Sequence, residues 1–154
     1  MHAMPARRRC AVGTVDDVSV EHPNATAYRQ TADAFRAGNI ELIAELIAPD
    51  VVWHVPGFHA MSGKVVGRDA LLDWLAALPG LGFWLIENDV FGNDDHVCAI
   101  SVMGARRSGI DVQTRVISVF RYDNGQQLER WLYPDDLESW NQIFAAEADS
   151  TATT

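Results

Sequence analysis

The stretch that decides the fold is IDVQTRVISVFRYDNGQQLERWLY, residues 110–133. Two runs in it, Ile110 to Tyr122 and Leu128 to Tyr133, are rich in β-branched and aromatic residues, a composition typical of strands. Asp123-Asn124-Gly125 separates them and tolerates the positive backbone angles of a tight turn. We therefore expect a long antiparallel hairpin in the second half of the chain.

Three further strands are expected upstream of this hairpin. The runs Gly82 to Phe91 and His96 to Arg106 precede it, and each is followed by a turn that contains Gly. With the hairpin they predict a four-stranded antiparallel meander. Earlier in the chain, the β-branched and aromatic run Val51 to Val55 ends at Pro56-Gly57, which predicts one more strand that leads into a turn.

Four helices are expected, three in the N-terminal half and a short one near the C-terminus. Apolar residues recur at three- and four-residue steps from about Asn24 to Gly38, between Asn39 and Pro49, from Asp69 to Leu78, and after Asp136. Helices that precede a run of strands pack on one face of the sheet. The predicted fold is therefore α+β, a cone-shaped, curled antiparallel sheet covered by the helices.

Composition argues against several classes of partner. The chain has 154 residues and a formal charge of -9, which disfavours nucleic acid and anionic membranes because phosphate binding needs clustered Lys and Arg. No apolar stretch reaches the ~18 residues of a membrane span. Two cysteines, Cys10 and Cys98, do not make a disulfide framework, so a cytoplasmic location is expected. One domain over 22–147 is expected between flexible tails at 1–21 and 148–154.

Short motifs between the predicted elements resemble those of a known family. They are Ala37-Gly38-Asn39, the segment 48–57 (APDVVWHVPG), Ser62-Gly63 with Gly67-Arg68-Asp69-Ala70-Leu71, and Phe120-Arg121-Tyr122-Asp123-Asn124-Gly125. Over roughly residues 24–144 the chain resembles the SnoaL-like domains of the nuclear transport factor 2-like superfamily, which also contains ketosteroid isomerase. This resemblance implies the cone fold, an apolar pocket for one small hydrophobic molecule, and no cofactor.

The resemblance does not extend to the proton-transfer residues of ketosteroid isomerase. Thr31 stands at the position of its oxyanion-hole tyrosine, Val55 at its base aspartate and Ser118 at its neutral carboxylic acid. Valine cannot carry a proton, and a serine hydroxyl is a far weaker acid than a carboxyl group. The isomerase mechanism is therefore not expected in this chain.

Arg130 is a candidate for binding or catalysis on the last strand. Limonene epoxide hydrolase, another relative, uses an Asp-Arg-Asp arrangement, but the spacing of Asp111, Arg115, Arg130 and Asp135 does not map onto it. Alternation along the strand could turn Arg130 into the cone, where a guanidinium would bind a substrate carboxylate or enolate. The alternative, which we favour, is that Arg130 forms an ion pair with Glu129, Asp111 or a partner subunit.

His54 and Asp135 are the other two catalytic candidates. A histidine can act as a general base near neutral pH, but alternation places His54 on the strand face opposite Trp53 and Val55. A bulge before Pro56 would turn it inward; otherwise it would bond a neighbouring element. Asp135 could act as an acid or base at the mouth of the cavity, or could cap the final helix.

The ligand-binding surface is expected to be mainly apolar, with small or soft side chains that leave room inside the cone. A metal site is not expected, because His54 and His59 have no third His or Cys nearby. The predicted ligand-binding residues are Tyr28, Thr31, Trp53, Val55, Phe58, Met61, Trp84, Ser101, Met103, Ser118 and Leu132.

Two functions fit these observations. One is a cofactor-independent isomerase, cyclase or hydrolase of a polyketide-, terpenoid- or steroid-like compound; the other is a non-catalytic ligand-binding or structural protein of the same fold. A homodimer is expected in either case, because alternation places Arg115, Ile117 and Val119 on the outer face of the sheet. Val116, Ser118 and Phe120 are expected to point inward.

Overall fold

A computed structural model describes residues 20–146 of the chain. Most of the predicted N-terminal tail, with Cys10, and the predicted tail at 148–154 lie outside the described residues. The helices are α1 (Pro23–Arg36), α2 (Ile40–Leu46), α3 (Arg68–Ala77) and α4 (Leu137–Ile143), and a short 3-10 turn spans Pro79–Leu81.

Six strands form one curled sheet. They are β1 (Ile47–Val55), β2 (Gly63–Val66), β3 (Phe83–Gly92), β4 (His96–Arg107), β5 (Ile110–Asp123) and β6 (Gln126–Pro134), in the order β2-β1-β6-β5-β4-β3. The meander from β3 to β6 is antiparallel, as predicted. The fold is therefore an α+β cone, as predicted.

The sheet is mixed rather than wholly antiparallel, which corrects the prediction. β1 pairs with β6 in parallel, with Trp53 opposite Arg130 and His54 opposite Trp131. Pairing between distant parallel strands leaves no local turn signal in the sequence. The register shifts between Ile47 and Val52, around Pro49, which has no N–H to donate to the ladder.

Two hydrophobic clusters fill the concave side of the sheet. The larger joins α2, α3 and α4 to the sheet through residues such as Ile43, Leu71 and Trp140. The smaller joins α1 to β4 and β5 through Tyr28 and Phe120, whose ring centroids are 4.8 Å apart. The helices therefore cover the inner face, and the apolar space lies between them and the strands.

Gly82 connects the 3-10 turn to β3 and fixes where that strand begins. Its φ is +64°, and a Cβ built on it would lie 1.9 Å from the carbonyl oxygen of Arg106 on β4. The Arg106 amide in turn donates to the Gly82 carbonyl at 3.0 Å. Two backbones approach closely here, which only a residue without a side chain permits.

We predict that Gly82→Ala lowers the free energy of unfolding by about 3 kcal/mol, because alanine adds both backbone strain and a clash with β4. Urea denaturation measures the change. Gly80→Ala is the matched control: Gly80 lies two residues earlier with open space around its Cα, and its effect should stay within about 0.5 kcal/mol. Equal effects of the two substitutions would contradict the role of Gly82.

Candidate functional site

An apolar pocket lies between the concave face of the sheet and helices α1 to α4. Aromatic and aliphatic side chains make up most of its wall, and they come from the four helices and from β1, β3, β4 and β6. The lining residues are Tyr28, Thr31, Ala32, Phe35, Ile43, Trp53, Trp74, Leu75, Leu78, Phe83, Leu85, Met103, Gln127, Arg130, Leu132 and Trp140.

The pocket is narrow. Its cavity volume is about 50 Å³. Phe35 on α1 and Phe83 and Leu85 on β3 stay half-buried, so we place the mouth between these two elements. The rings of Phe35 and Phe83 meet edge to face there, with centroids 6.2 Å apart.

Most polar groups of the wall already have partners inside the protein. The Thr31 hydroxyl donates to the Ala27 carbonyl at 3.0 Å, and the Gln127 side-chain oxygen accepts from the Trp53 indole at 2.5 Å. The Tyr28 hydroxyl donates to Glu87 at 3.4 Å, and burial raises the pKa of Tyr28 to about 12. Tyr28 is therefore a neutral donor at physiological pH and not a base.

Arg130 is the exception among the polar residues of the wall. Only 7% of the residue is exposed, and its guanidinium carbon lies 4.4 Å from the ring centre of Trp53 and 4.6 Å from that of Phe120. Strand register builds this sandwich, because Trp53 on β1 and Phe120 on β5 are the direct neighbours of Arg130 on β6. A cation between two ring faces is a favourable electrostatic arrangement.

Within residues 20–146, the guanidinium of Arg130 makes one hydrogen bond and no ion pair. Nη2 donates to the Ser118 hydroxyl at 2.9 Å, while Nε is buried without a partner. Burial lowers the pKa of Arg130, and the nearby Tyr28, Tyr122 and Glu87 partly oppose that effect. The pocket wall therefore holds a desolvated cation that forms no ion pair with a carboxylate of residues 20–146.

The structure brings six of the sequence-predicted site residues onto the pocket wall: Tyr28, Thr31, Trp53, Met103, Arg130 and Leu132. Four others lie near it without lining it. Ser101 and Ser118 are fully buried on β4 and β5, Val55 is packed in the larger cluster, and Met61 packs against that cluster from its edge. The Met61 carbonyl accepts a hydrogen bond from the Trp74 indole at 3.0 Å.

Phe58 and Trp84 lie outside the pocket, which corrects their predicted place in its wall. The side chain of Phe58 projects from the loop after β1 and is 88% exposed. On β3, Phe83 and Leu85 take the inward positions, so Trp84 points outward and its ring lies against Gly104. A Cβ on Gly104 would lie 2.4 Å from that ring, so the glycine makes room for the indole.

His54 also lies outside the pocket, on the outer face of β1, as alternation without a bulge predicts. Its Nε2 is 2.7 Å from a carboxylate oxygen of Glu129, and its ring stacks on Trp131 at 5.3 Å with an interplanar angle of 6°. The bond to His54 lowers the pKa of Glu129. His54 therefore contributes to a polar contact between β1 and β6, away from the apolar space.

Asp135 lies just after the end of β6 and forms hydrogen bonds to β5 rather than lining the pocket. It accepts from the Thr114 hydroxyl at 2.7 Å and from the Arg115 amide at 3.2 Å. The next residue, Asp136, caps the N-terminus of α4 instead: it accepts from the Ser139 amide at 3.0 Å, and this hydrogen bond lowers the pKa of Asp136. His54 and Asp135 thus do not meet, and the pocket does not contain them.

An Asp-Arg-Asp arrangement of the epoxide hydrolase kind is not formed within the described residues. Asp111 pairs with Arg106 at 3.4 Å on the surface, and Glu129 pairs with His54 and Arg121, so neither neutralises Arg130. Across residues 20–146, no group of three or more His, Cys, Asp or Glu side chains could hold a metal ion. No helix in that range is long and apolar enough to cross a membrane.

Part of the pocket wall escaped prediction from the sequence. The helical spacing of Phe35 after Tyr28 and Thr31, and of Leu78 after Trp74, could have identified the helical part. Gln127 had no such signal. A bulge in the β5–β6 pairing pairs Arg121 with Glu129 and Tyr122 with Gln127. Leu128 has no partner residue on β5. Gln127 therefore takes the inward position that strict alternation would give to Leu128, and it is buried on the same face as Arg130.

Comparison with known proteins supports the family resemblance inferred from the sequence motifs. A sequence profile of the SnoaL-like domain matches residues 28–130. The uncharacterised protein Rv0034 of Mycobacterium tuberculosis is 33% identical over 85 residues, which cover 53% of this chain and 65% of Rv0034. The chain thus matches slightly less than two thirds of the length of that relative.

Solved structures share the fold, and two of them illustrate the similarity. Bal32a, from a soil-derived mobile gene cassette, superposes with a TM-score of 0.75 and 26% identity over 80% of this chain and 97% of Bal32a. A nuclear transport factor 2-like protein of unknown function from Burkholderia pseudomallei has a TM-score of 0.71 and 17% identity over 81% of this chain and 99% of its own. With its profile match over residues 28–130, the chain belongs to the SnoaL-like domain family of the nuclear transport factor 2-like superfamily.

Proposed function

We propose that this protein binds a small, largely apolar molecule in the pocket between the sheet and the helices. The observation that carries the proposal is the pocket wall, in which aromatic and aliphatic side chains surround a few polar groups. A molecule of the polyketide, terpenoid or steroid kind, the class that the family resemblance implies, matches such a wall. The narrow interior favours a slender or flat compound.

We favour binding over proton-transfer catalysis. The described wall contains no His, Asp or Glu. Its buried tyrosine, Tyr28, has a pKa of about 12 and therefore stays protonated at physiological pH. An isomerase, cyclase or hydrolase that moves a proton needs a side chain whose pKa lies near the working pH. Arg130 can stabilise negative charge, but it cannot accept a proton at that pH.

We also propose that two copies associate through the outer face of the sheet. Ile117 on β5 lies directly opposite Tyr133 on β6, and they are 40% and 56% exposed. Adjacent exposed apolar side chains on a sheet face favour a partner surface. The identical face of a second copy would bury them through a two-fold contact.

Filling the pocket should weaken ligand binding. Ala32 lies on the wall, and Ala32→Leu places an isobutyl group where little free space exists. We expect the affinity for 2-naphthoate or 2-naphthamide, measured by isothermal titration calorimetry, to fall about tenfold or more. The steric loss follows from the close packing of the wall.

Ala76→Leu is the matched control for this substitution. Ala76 is exposed on α3, so the same change there should leave affinity unaltered. Thermal unfolding of both variants checks that each one folds. If wild-type protein binds neither naphthalene probe below about 1 mM, or if both variants bind like wild type, the pocket is not the ligand site.

The dimer proposal predicts a sedimentation difference between two lysine variants. We expect wild-type protein to sediment as a dimer at micromolar concentration and Ile117→Lys to shift it to the monomer, because a buried unpaired ammonium disrupts an apolar contact. Ile40→Lys is the control: Ile40 is 43% exposed on α2, away from the sheet face. A monomeric wild type, or a dimer that survives Ile117→Lys, contradicts the proposal.

A further inference from the structure

We propose that the occupant of the pocket carries a negatively charged oxygen group, a carboxylate or an equivalent acidic enol, and that Arg130 binds it. This inference rests on the proposed function and adds the chemical class of the ligand. An apolar pocket alone would accept neutral molecules; a buried guanidinium in its wall selects among them by charge.

The first support is that Arg130 lacks the partner that a buried cation needs. Among residues 20–146 no carboxylate oxygen forms an ion pair with it, and its one hydrogen bond goes to the neutral hydroxyl of Ser118. Nε is left without any acceptor. A buried polar donor without a partner is rare in folded proteins and calls for a specific explanation.

The second support is that the nearby acidic groups are already committed elsewhere. Glu87 contributes to the electrostatic environment of Arg130, but its carboxylate accepts from the Tyr28 hydroxyl and pairs with Arg36. Glu129, the neighbour of Arg130 along the strand, points to the outer face and bonds His54. Rotamer changes within this wall therefore do not readily supply a counter-charge.

The third support is geometric. The rings of Trp53 and Phe120 hold the guanidinium, so its position is set before a ligand arrives. Its remaining N–H groups lie in the guanidinium plane, and that planar fork matches the two oxygens of a carboxylate better than it matches a neutral carbonyl. Leu132 and Trp53 beside it provide apolar contact for the body of the ligand.

A structural role for Arg130 is the competing explanation, and it makes a different prediction. If the sandwich exists to stabilise the fold, replacing Arg130 with an apolar side chain of similar length should destabilise the protein. If the cation is retained for a ligand, the same replacement removes a desolvated charge and should leave stability equal or higher. Arg130→Met separates the two explanations.

The decisive measurement compares two probes of the same shape. 2-Naphthoate carries a carboxylate and 2-naphthamide carries a neutral amide on the same ring system. With wild-type protein, isothermal titration calorimetry should give the carboxylate about tenfold or higher affinity than the amide. Equal affinities on wild type overturn the anion site while leaving the apolar pocket supported; binding of neither probe refutes the pocket itself.

Two variants assign the preference to Arg130. Arg130→Met should bind the two probes within about twofold of each other, with a thermal unfolding midpoint equal to or above that of wild type. Arg130→Lys keeps the charge but not the fork and should retain an intermediate preference. A Met variant that still prefers the carboxylate overturns the proposal, and so does a Met variant that unfolds at a lower temperature than the wild type.

Discussion

The parallel pairing of β1 with β6 is the constraint on which the pocket depends. This pairing sets Trp53 beside Arg130 on one side, while the antiparallel pairing of β5 sets Phe120 beside it on the other. Because side chains alternate along a strand, a slip of one residue would turn Arg130 to the outer face and Glu129 inward. The charge of the pocket thus follows from strand register.

The same alternation separates charges between the two faces of the sheet. Glu129 faces outward, where His54 and Arg121 bind its carboxylate. Arg130 faces inward, where the Ser118 hydroxyl and two aromatic rings contact its guanidinium. Neighbours in sequence therefore cannot neutralise each other. The helices complete the enclosure, since α1 and α3 bring apolar side chains over the inner face.

Local patterns in the sequence predicted most of this arrangement. Period-two alternation identified the inward face of β5 and placed His54 outside, and helical spacing located the four helices. The patterns could not reveal the parallel partner of β1, because no turn joins the two strands. They also did not reveal that Gln127 is buried, because a bulge at Leu128 breaks alternation, and Trp84 was predicted in the wall although its ring lies against Gly104 on the outer face.

The energetic balance at Arg130 explains why a ligand site and a stable core can coexist there. Burying a lone cation costs several kcal/mol even after the protein relaxes. Each desolvated ring face contributes about 2 kcal/mol, and the hydrogen bond to Ser118 contributes about 1.5 to 3 kcal/mol, so these contacts roughly offset that cost. The guanidinium is therefore tolerated without being strongly stabilising. An anionic ligand would bind a cation that is already desolvated and already oriented. Most of the remaining free-energy cost of forming the ion pair is then the desolvation of the ligand itself.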